Sequence, residues 1–175
     1  NLNFVVTAGG SVTITFDVTV ASDADPSAVT LDATASGEEA TTLRALSDSG
    51  ATTTDTVTIY VGVDLEVTSI VYTTGTGTYV QGMTFSVTVT FSNIGGTAAD
   101  CDATLTWGGY GDLSSNNPGA ITVPASGSNT QVFTVTVAGS AAAQDPVTIG
   151  ATWTGTEAIS GRAIGGGDGG NTQDV

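Results

Sequence analysis

The feature that most constrains this chain is an internal repeat that begins out of phase. Val29-Thr30-Leu31-Asp32-Ala33-Thr34-Ala35-Ser36-Gly37 aligns with Val147-Thr148-Ile149-Gly150-Ala151-Thr152-Trp153-Thr154-Gly155. The match runs on through Glu39 with Glu157 and Arg44 with Arg162, an offset of 162 − 44 = 118 residues. Upstream, Phe16-Asp17-Val18-Thr19-Val20-Ala21 aligns with Phe133-Thr134-Val135-Thr136-Val137-Ala138 at 133 − 16 = 117, and Asp25-Pro26 with Asp145-Pro146 after a small insertion. A unit of that length is the size of one sandwich domain. Residues 1–57 match only its second half, residues 58–175 contain a whole one, and Val175 falls where Val57 fell.

The local pattern inside the repeat is that of β-strands. Val12, Ile14, Phe16, Val18 and Val20 alternate with Thr13, Thr15, Asp17 and Thr19, which predicts a strand with one wet face. The same period of two returns in Phe85, Val87, Val89 and Phe91, and in Phe133, Val135 and Val137. Further strands are predicted at 28–35, 56–61, 64–72, 102–107, 120–123 and 147–154. Gly, Asn, Asp and Pro punctuate the gaps, as in Gly9-Gly10, Asn93-Ile94-Gly95-Gly96 and Asn116-Asn117-Pro118-Gly119. No stretch sustains a helical apolar period.

The predicted fold is therefore all-β: sandwich repeats, one complete domain over 58–175 and the second half of another over 1–57. The partial domain has no counterparts to the strands near 64–72, 83–92 and 102–107. Half a sandwich exposes its inner face and an unpaired edge, so it needs completion from outside the segment. Two sources fit: strands lying upstream in a longer tandem array, or strands added at the open edge by a neighbouring subunit, which would link subunits head to tail.

Composition narrows the partners. Two basic residues stand against 17 acidic ones, with no His, so the clustered Lys and Arg that phosphate neutralisation requires are absent and nucleic acid is excluded. An anionic membrane surface would repel such a chain, and no apolar run approaches the ~20 residues needed to cross a bilayer. The acidic surface serves solvation, with attraction of divalent cations as the alternative. The single Cys101 forms no disulfide within the chain, and between Asp100 and Asp102 its thiol pKa is expected to rise, so it reads as a small packing residue.

The whole repeat resembles the cell-adhesion-related Ig-like domain of bacterial and archaeal surface proteins. The likeness is carried by Asp64-Leu65-Glu66-Val67-Thr68-Ser69-Ile70, by Phe85-Ser86-Val87-Thr88-Val89-Thr90-Phe91-Ser92-Asn93-Ile94-Gly95 with its Asn-x-Gly turn, and by Thr130-Gln131-Val132-Phe133-Thr134-Val135-Thr136-Val137. It covers 64–154 and, in part, 4–35; the tails 36–57 and 155–175 extend beyond it. The resemblance implies a seven-stranded sandwich, extracellular placement at the cell surface, and a spacer, adhesive or self-assembling role with no catalytic residues.

Arg44 and Arg162, each five residues after Glu39 or Glu157, predict a bidentate carboxylate partner that pins the 36–57 segment against the sandwich, with an intersubunit ion pair as the alternative. Asp23 and Asp25 before Pro26, and Asp168, Asn171 and Asp174 in the Gly-rich tail, are candidate calcium ligands, but their spacing matches no EF-hand and turn chemistry explains them. Trp107 and Trp153 read as core residues. Tyr72 and Tyr110 are candidates for a sugar-stacking platform that no spacing selects. With no His or Lys and no Gly-x-Ser-x-Gly arrangement, an enzyme is not expected, and no cofactor is expected apart from the calcium alternative. The expected function is an extracellular structural protein whose units self-assemble into a filament, sheath or surface layer through contact with copies or adjacent repeats. The alternative is a tandem-repeat stalk or adhesin spacer that displays a separate binding domain.

Overall fold

A computed structural model of the chain describes residues 4–21, 24, 26–48, 54–72 and 77–175. Among them there is no helix. The chain divides into two units, Asn1–Ile59 and Tyr60–Val175.

The first unit contains four short strands, β1 (Ala28–Leu31), β2 (Ala35–Glu38), β3 (Ala45–Asp48) and β4 (Asp55–Thr58). They form two antiparallel pairs, β1 with β4 and β2 with β3. The predicted strand at 12–20 is not formed as a paired strand: residues 4–21 carry no ladder, and Val12, Phe16, Val18 and Val20 stand exposed. The physical reason is the lack of a partner. A strand satisfies its backbone only through a neighbour, and the strand that pairs with this sequence in the second unit has no copy within 1–59. The predicted continuous strand at 28–35 is likewise broken at 32–34 into β1 and β2.

The second unit is a two-sheet β-sandwich. Its strands are β5 (Leu65–Tyr72), β6 (Thr84–Asn93), β7 (Ala99–Thr106), β8 (Leu113–Ser115), β9 (Ile121–Val123), β10 (Gly127–Val137), β11 (Thr148–Glu157), β12 (Ala163–Gly167) and β13 (Gln173–Asp174). One sheet has the order β5-β6-β10-β8; the other runs β12-β11-β7-β9, with β13 also pairing to β11. The alternation places Phe85, Val87, Val89 and Phe91 from β6 and Phe133 and Val135 from β10 inward, opposite Cys101, Ala103 and Leu105 of β7 and Ile149, Ala151 and Trp153 of β11. Phe91 meets Trp153 edge to face, with centroids 6.1 Å apart.

The tail 155–175 is part of this sandwich. β12 lies against β11, and Val147 and Val175 exchange both backbone hydrogen bonds at 2.8 and 3.0 Å. Asn171 Nδ2 donates to the carbonyl of Val67 at 2.8 Å, beside the β-bulge where the β5–β6 register shifts between Val67 and Ser69. The tail thus closes an irregularity in β5 that an uninterrupted ladder would not leave.

Candidate assembly face

Strand pairings in the two units share one register at an offset of 118 residues. In the second unit Trp153, Thr154, Gly155 and Thr156 face Gly166, Gly165, Ile164 and Ala163. In the first unit the equivalent Ala35, Ser36, Gly37 and Glu38 face Asp48, Ser47, Leu46 and Ala45. The pairs Thr148↔Asp174 and Ile149↔Gln173 return as Thr30↔Thr56 and Leu31↔Asp55.

The hairpins that carry the two arginines match as well. Glu157 N–H donates to Arg162 O and Gly161 N–H to Glu157 O, as Glu39 N–H does to Arg44 O and Leu43 N–H to Glu39 O. Arg162 Nε lies 3.4 Å from Glu157 Oε2, and Arg44 Nε lies 3.5 Å from Glu39 Oε2. Ser160 donates its hydroxyl to Glu157 Oε2 at 2.5 Å, and Thr42 donates to Glu39 Oε2. Each arginine therefore braces its own hairpin loop through one carboxylate oxygen.

The two carboxylates differ in the other oxygen. Glu157 Oε1 accepts from Thr97 Oγ1 at 2.7 Å and from the backbone N–H of Val63 at 2.8 Å, and the side chain is 6% exposed. The Ser160 hydroxyl, then Thr97, then the Val63 N–H hold the carboxyl down at about 2 against the cost of burial, with Arg162 adding the smallest share. This group locks the lead-in segment 61–64 onto the sandwich. Asn93 reinforces the lock: its amide donates to the carbonyls of Thr97 and Pro124, and its oxygen accepts from Gly95 and Asp64. The lead-in passes so close to the Asn-x-Gly turn that a Cβ on Gly95 would lie 2.2 Å from Gly62 O. Glu39, at 41% exposure, makes only the Oε2 contacts among the described residues.

Because its folded pKa of about 2 lies below the unfolded value near 4.5, Glu157 contributes its full stabilisation above pH 4.5 and loses it as pH falls toward 2. Glu157→Gln is expected to cost about 2 kcal/mol at pH 7 and to flatten the loss over that window. Denaturant midpoints of both proteins across the window check this; parallel curves would contradict it.

Apolar side chains at matched positions differ in exposure between the two units. Phe133 is 1% exposed and its equivalent Phe16 is 68% exposed; Val135 and Val18 are 0% and 75%; Ile149 and Leu31 are 0% and 41%. In the second unit these residues face β5, β6 and β7. Leaving such side chains in water forgoes about 1.5–3 kcal/mol each.

The remaining sequence candidates serve the structure of the second unit. Trp153 is buried and donates its indole N–H to Gly167 O at 3.2 Å. Trp107 lies one residue past β7 and is only half-buried, so Trp153 rather than Trp107 fills the core. Cys101 is buried, and burial, then Asp102 and Asp100, push its thiol up to about 11. Tyr110 donates its hydroxyl to Ala142 O, and Tyr72 packs edge-on to Tyr79 at 6.4 Å; Tyr79 stacks on Phe85. Tyr110, Tyr79, Phe85 and Val137 line a groove of about 730 Å³ at one end of the sandwich. Of the calcium candidates, Asp23 and Asp25 lie outside the described residues. Asp168 accepts from Ala151 and Gly170, Asn171 reaches Val67 O, and Asp174 accepts from Thr148. These are turn and tail contacts, and among the described residues no three His, Cys, Asp or Glu side chains converge.

The buried polar groups were missed in the sequence. Asn93, Gln131 and Glu157 each continue the inward phase of an apolar strand, a signal available in the alternation itself. Gln131 receives Ala103 N–H at 2.8 Å and donates to Asp102 and Gly119 O, joining the two sheets.

No protein-family profile and no curated protein matches the chain. Among solved structures it is similar to a FixG-related protein from Vibrio parahaemolyticus, with 11% identity over 61% of this chain and 92% of that one and a TM-score of 0.37. It is also similar to a yeast GGA1 GAE domain, with 10% identity over 64% of this chain and 98% of that one and a TM-score of 0.39. Likenesses this distant carry no argument about what the chain does.

Proposed function

We propose that this is a non-enzymatic structural protein of the cell exterior, built from Ig-like sandwich repeats that are completed by strands of neighbouring repeats and so extend into a filament, sheath or surface layer. The observation that carries the reading is the pairing of identical strand registers with opposite burial: the trailing strands of the repeat are core in the second unit and uncovered in the first. Leaving such apolar side chains exposed forgoes the burial that a partner would supply. The Ig-like assignment draws support from strand order. With β5, β6, β7, β10, β11 and β12 lettered A, B, C, E, F and G, the sheets contain A-B-E and G-F-C neighbours. Wet Thr and Ser faces, a reduced buried thiol and the near-absence of basic residues suit a passive exterior scaffold.

A second reading, a tandem stalk or adhesin spacer carrying a separate binding domain, is favoured by the presence of both sets of trailing strands on one polypeptide. Electron microscopy of the native material, with mass spectrometry of its chain ends, separates the two. Polymers of a repeating subunit support the assembly reading. A monomeric rod ending in a distinct domain overturns it in favour of the stalk.

A further inference from the structure

We propose that the outer edge of β12 pairs with the β12 edge of a second copy of this chain, antiparallel about a two-fold axis at Gly165. The contact lies within the second unit and goes beyond the assembly reading, since it joins neighbours side by side whatever covers the first unit.

The two sheets of the sandwich end in four edge strands, β5, β8, β9 and β12, and three of these are blunted. β5 carries the bulge between Val67 and Ser69, a charge at Glu66, and the Asn171 side chain on Val67 O. β8 and β9 have three residues each; Asn129 Nδ2 donates to Thr122 O of β9, and Pro124 follows that strand. Short length, bulges, charges and prolines are the devices that keep an edge from pairing with another chain. β12 has none of them: Ala163-Ile164-Gly165-Gly166-Gly167 is uncharged, holds no proline, and keeps an unbroken register on β11.

The hairpin fixes which way this backbone points. Glu157 N–H donates to Arg162 O at 2.9 Å, so the bonds to β11 recur at Ile164 and Gly166, the partners of Gly155 and Trp153. Ala163, Gly165 and Gly167 therefore turn their N–H groups away from β11, as Ala163 and Gly165 do their carbonyls; the Gly167 carbonyl takes the Trp153 indole N–H. All three residues are exposed, and among the described residues no strand pairs with them on that side.

Read backwards, β12 complements itself, which commits the occupant to a second copy. With Gly165 opposite Gly165 of the second copy, Ala163 meets Gly167, and the outward N–H groups find carbonyls. Ile164 falls opposite Gly166, which presents no side chain, and Arg162 falls opposite Asp168 on the same side of the ladder. Arg162 approaches Glu157 through Nε and keeps 59% of its side chain exposed. The Asp168 carboxylate is held in place by the N–H groups of Ala151 and Gly170. The chain has only two basic residues, and one of them stands as far before Gly165 as this carboxylate stands after it, 165 − 162 = 168 − 165. No other centring of the two strands sets those charges opposite each other.

The test is amide exchange read residue by residue by NMR on the full chain at about 50 μM and about 1 mM. Salt at about 0.3 M screens the repulsion between two copies of net charge −15. Amides of Ala163, Gly165 and Gly167 are expected to exchange at least about threefold more slowly at the higher concentration, while Ile164 and Gly166, already bonded to β11, do not change. Gly167→Pro removes an outward donor and puts its ring where the second copy must approach; a Cβ at that position meets only Ala151 O, at 4.0 Å. The variant is expected to lose the concentration dependence while 129–137 stays as protected as in the parent chain. Exchange of the three amides that ignores concentration overturns the proposal. So does a concentration dependence that appears at β5, β8 or β9 instead, or one that survives in Gly167→Pro. If that variant loses protection at 129–137, the alternation between neighbouring amides of the parent chain decides alone. Polymers in native material without this slowing remove the contact and leave the assembly reading standing.

Discussion

Phe133→Ala is expected to destabilise the second unit by about 4 kcal/mol and to lower its melting temperature by about 15–25 °C, while Phe16→Ala at the same repeat position shifts the full chain by less than about 0.5 kcal/mol. Phe133 lies in β10 between β6 and β8, opposite β7 and β11, and is fully enclosed. Its truncation removes both the transfer energy of the ring and the contacts around the space left behind. Phe16 has already left that ring in water, so removing it deletes little. Thermal and urea unfolding of the two variants decides the matter. A cost above about 2 kcal/mol for Phe16→Ala would mean that the first unit buries this ring in solution, against the exposure described above.

The glycine pair should separate as widely, with opposite sign. Gly155→Ala forces a methyl group to within 2.2 Å of Asp100 O and 3.0 Å of Cys101 Cα, both backbone atoms of the adjoining strand. The β7–β11 ladder must open locally, at a cost of about 2–3 kcal/mol. Gly37→Ala meets nothing, and replacing Gly within a strand recovers roughly 0.5 kcal/mol of backbone entropy. Differential scanning calorimetry of both variants in the full chain reads the difference. Equal, small effects would show that the strand beside Gly155 moves aside freely.

Much of this was legible in the sequence, for a definite reason. Period-two alternation reports which face of a strand is dry, and it placed 64–72, 83–92, 133–137 and 147–154 close to β5, β6, β10 and β11. The repeat aligned 29–37 with 147–155 and Glu39-Arg44 with Glu157-Arg162, and the β2–β3 and β11–β12 pairings at those positions share one register. What alternation cannot report is whether a strand has a partner. The segment 12–20 carries as strong a pattern as 129–137, yet it forms no ladder because pairing depends on residues elsewhere in the chain. Short edge strands also escaped: β8 has three residues, β13 has two, and β12 reads Ala163-Ile164-Gly165-Gly166-Gly167, a composition that argues locally for a turn. Gly166 is needed because Trp153 lies against it, where a Cβ would approach the indole to 3.2 Å. The arginines do meet carboxylates, but through one Nε–Oε2 approach to the glutamate five residues earlier in the same hairpin, and not as a bidentate pair pinning 36–57 against the sandwich. The deeper role of Glu157, tying the lead-in at Val63 and the turn at Thr97 to the sandwich, needed the three-dimensional meeting of residues far apart in sequence.

The central claim is that the first-unit residues exposed in the chain 1–175 are covered by assembly in the native material. Hydrogen exchange at residues 12–20, compared between the isolated chain 1–175 and the native material, tests it most directly. The account predicts near-free exchange in the isolated chain, strong protection at the equivalent 129–137 in both samples, and protection of 12–20 appearing in the native material. Free exchange of 12–20 in both samples would contradict it, since these apolar side chains would then be left bare where the protein works.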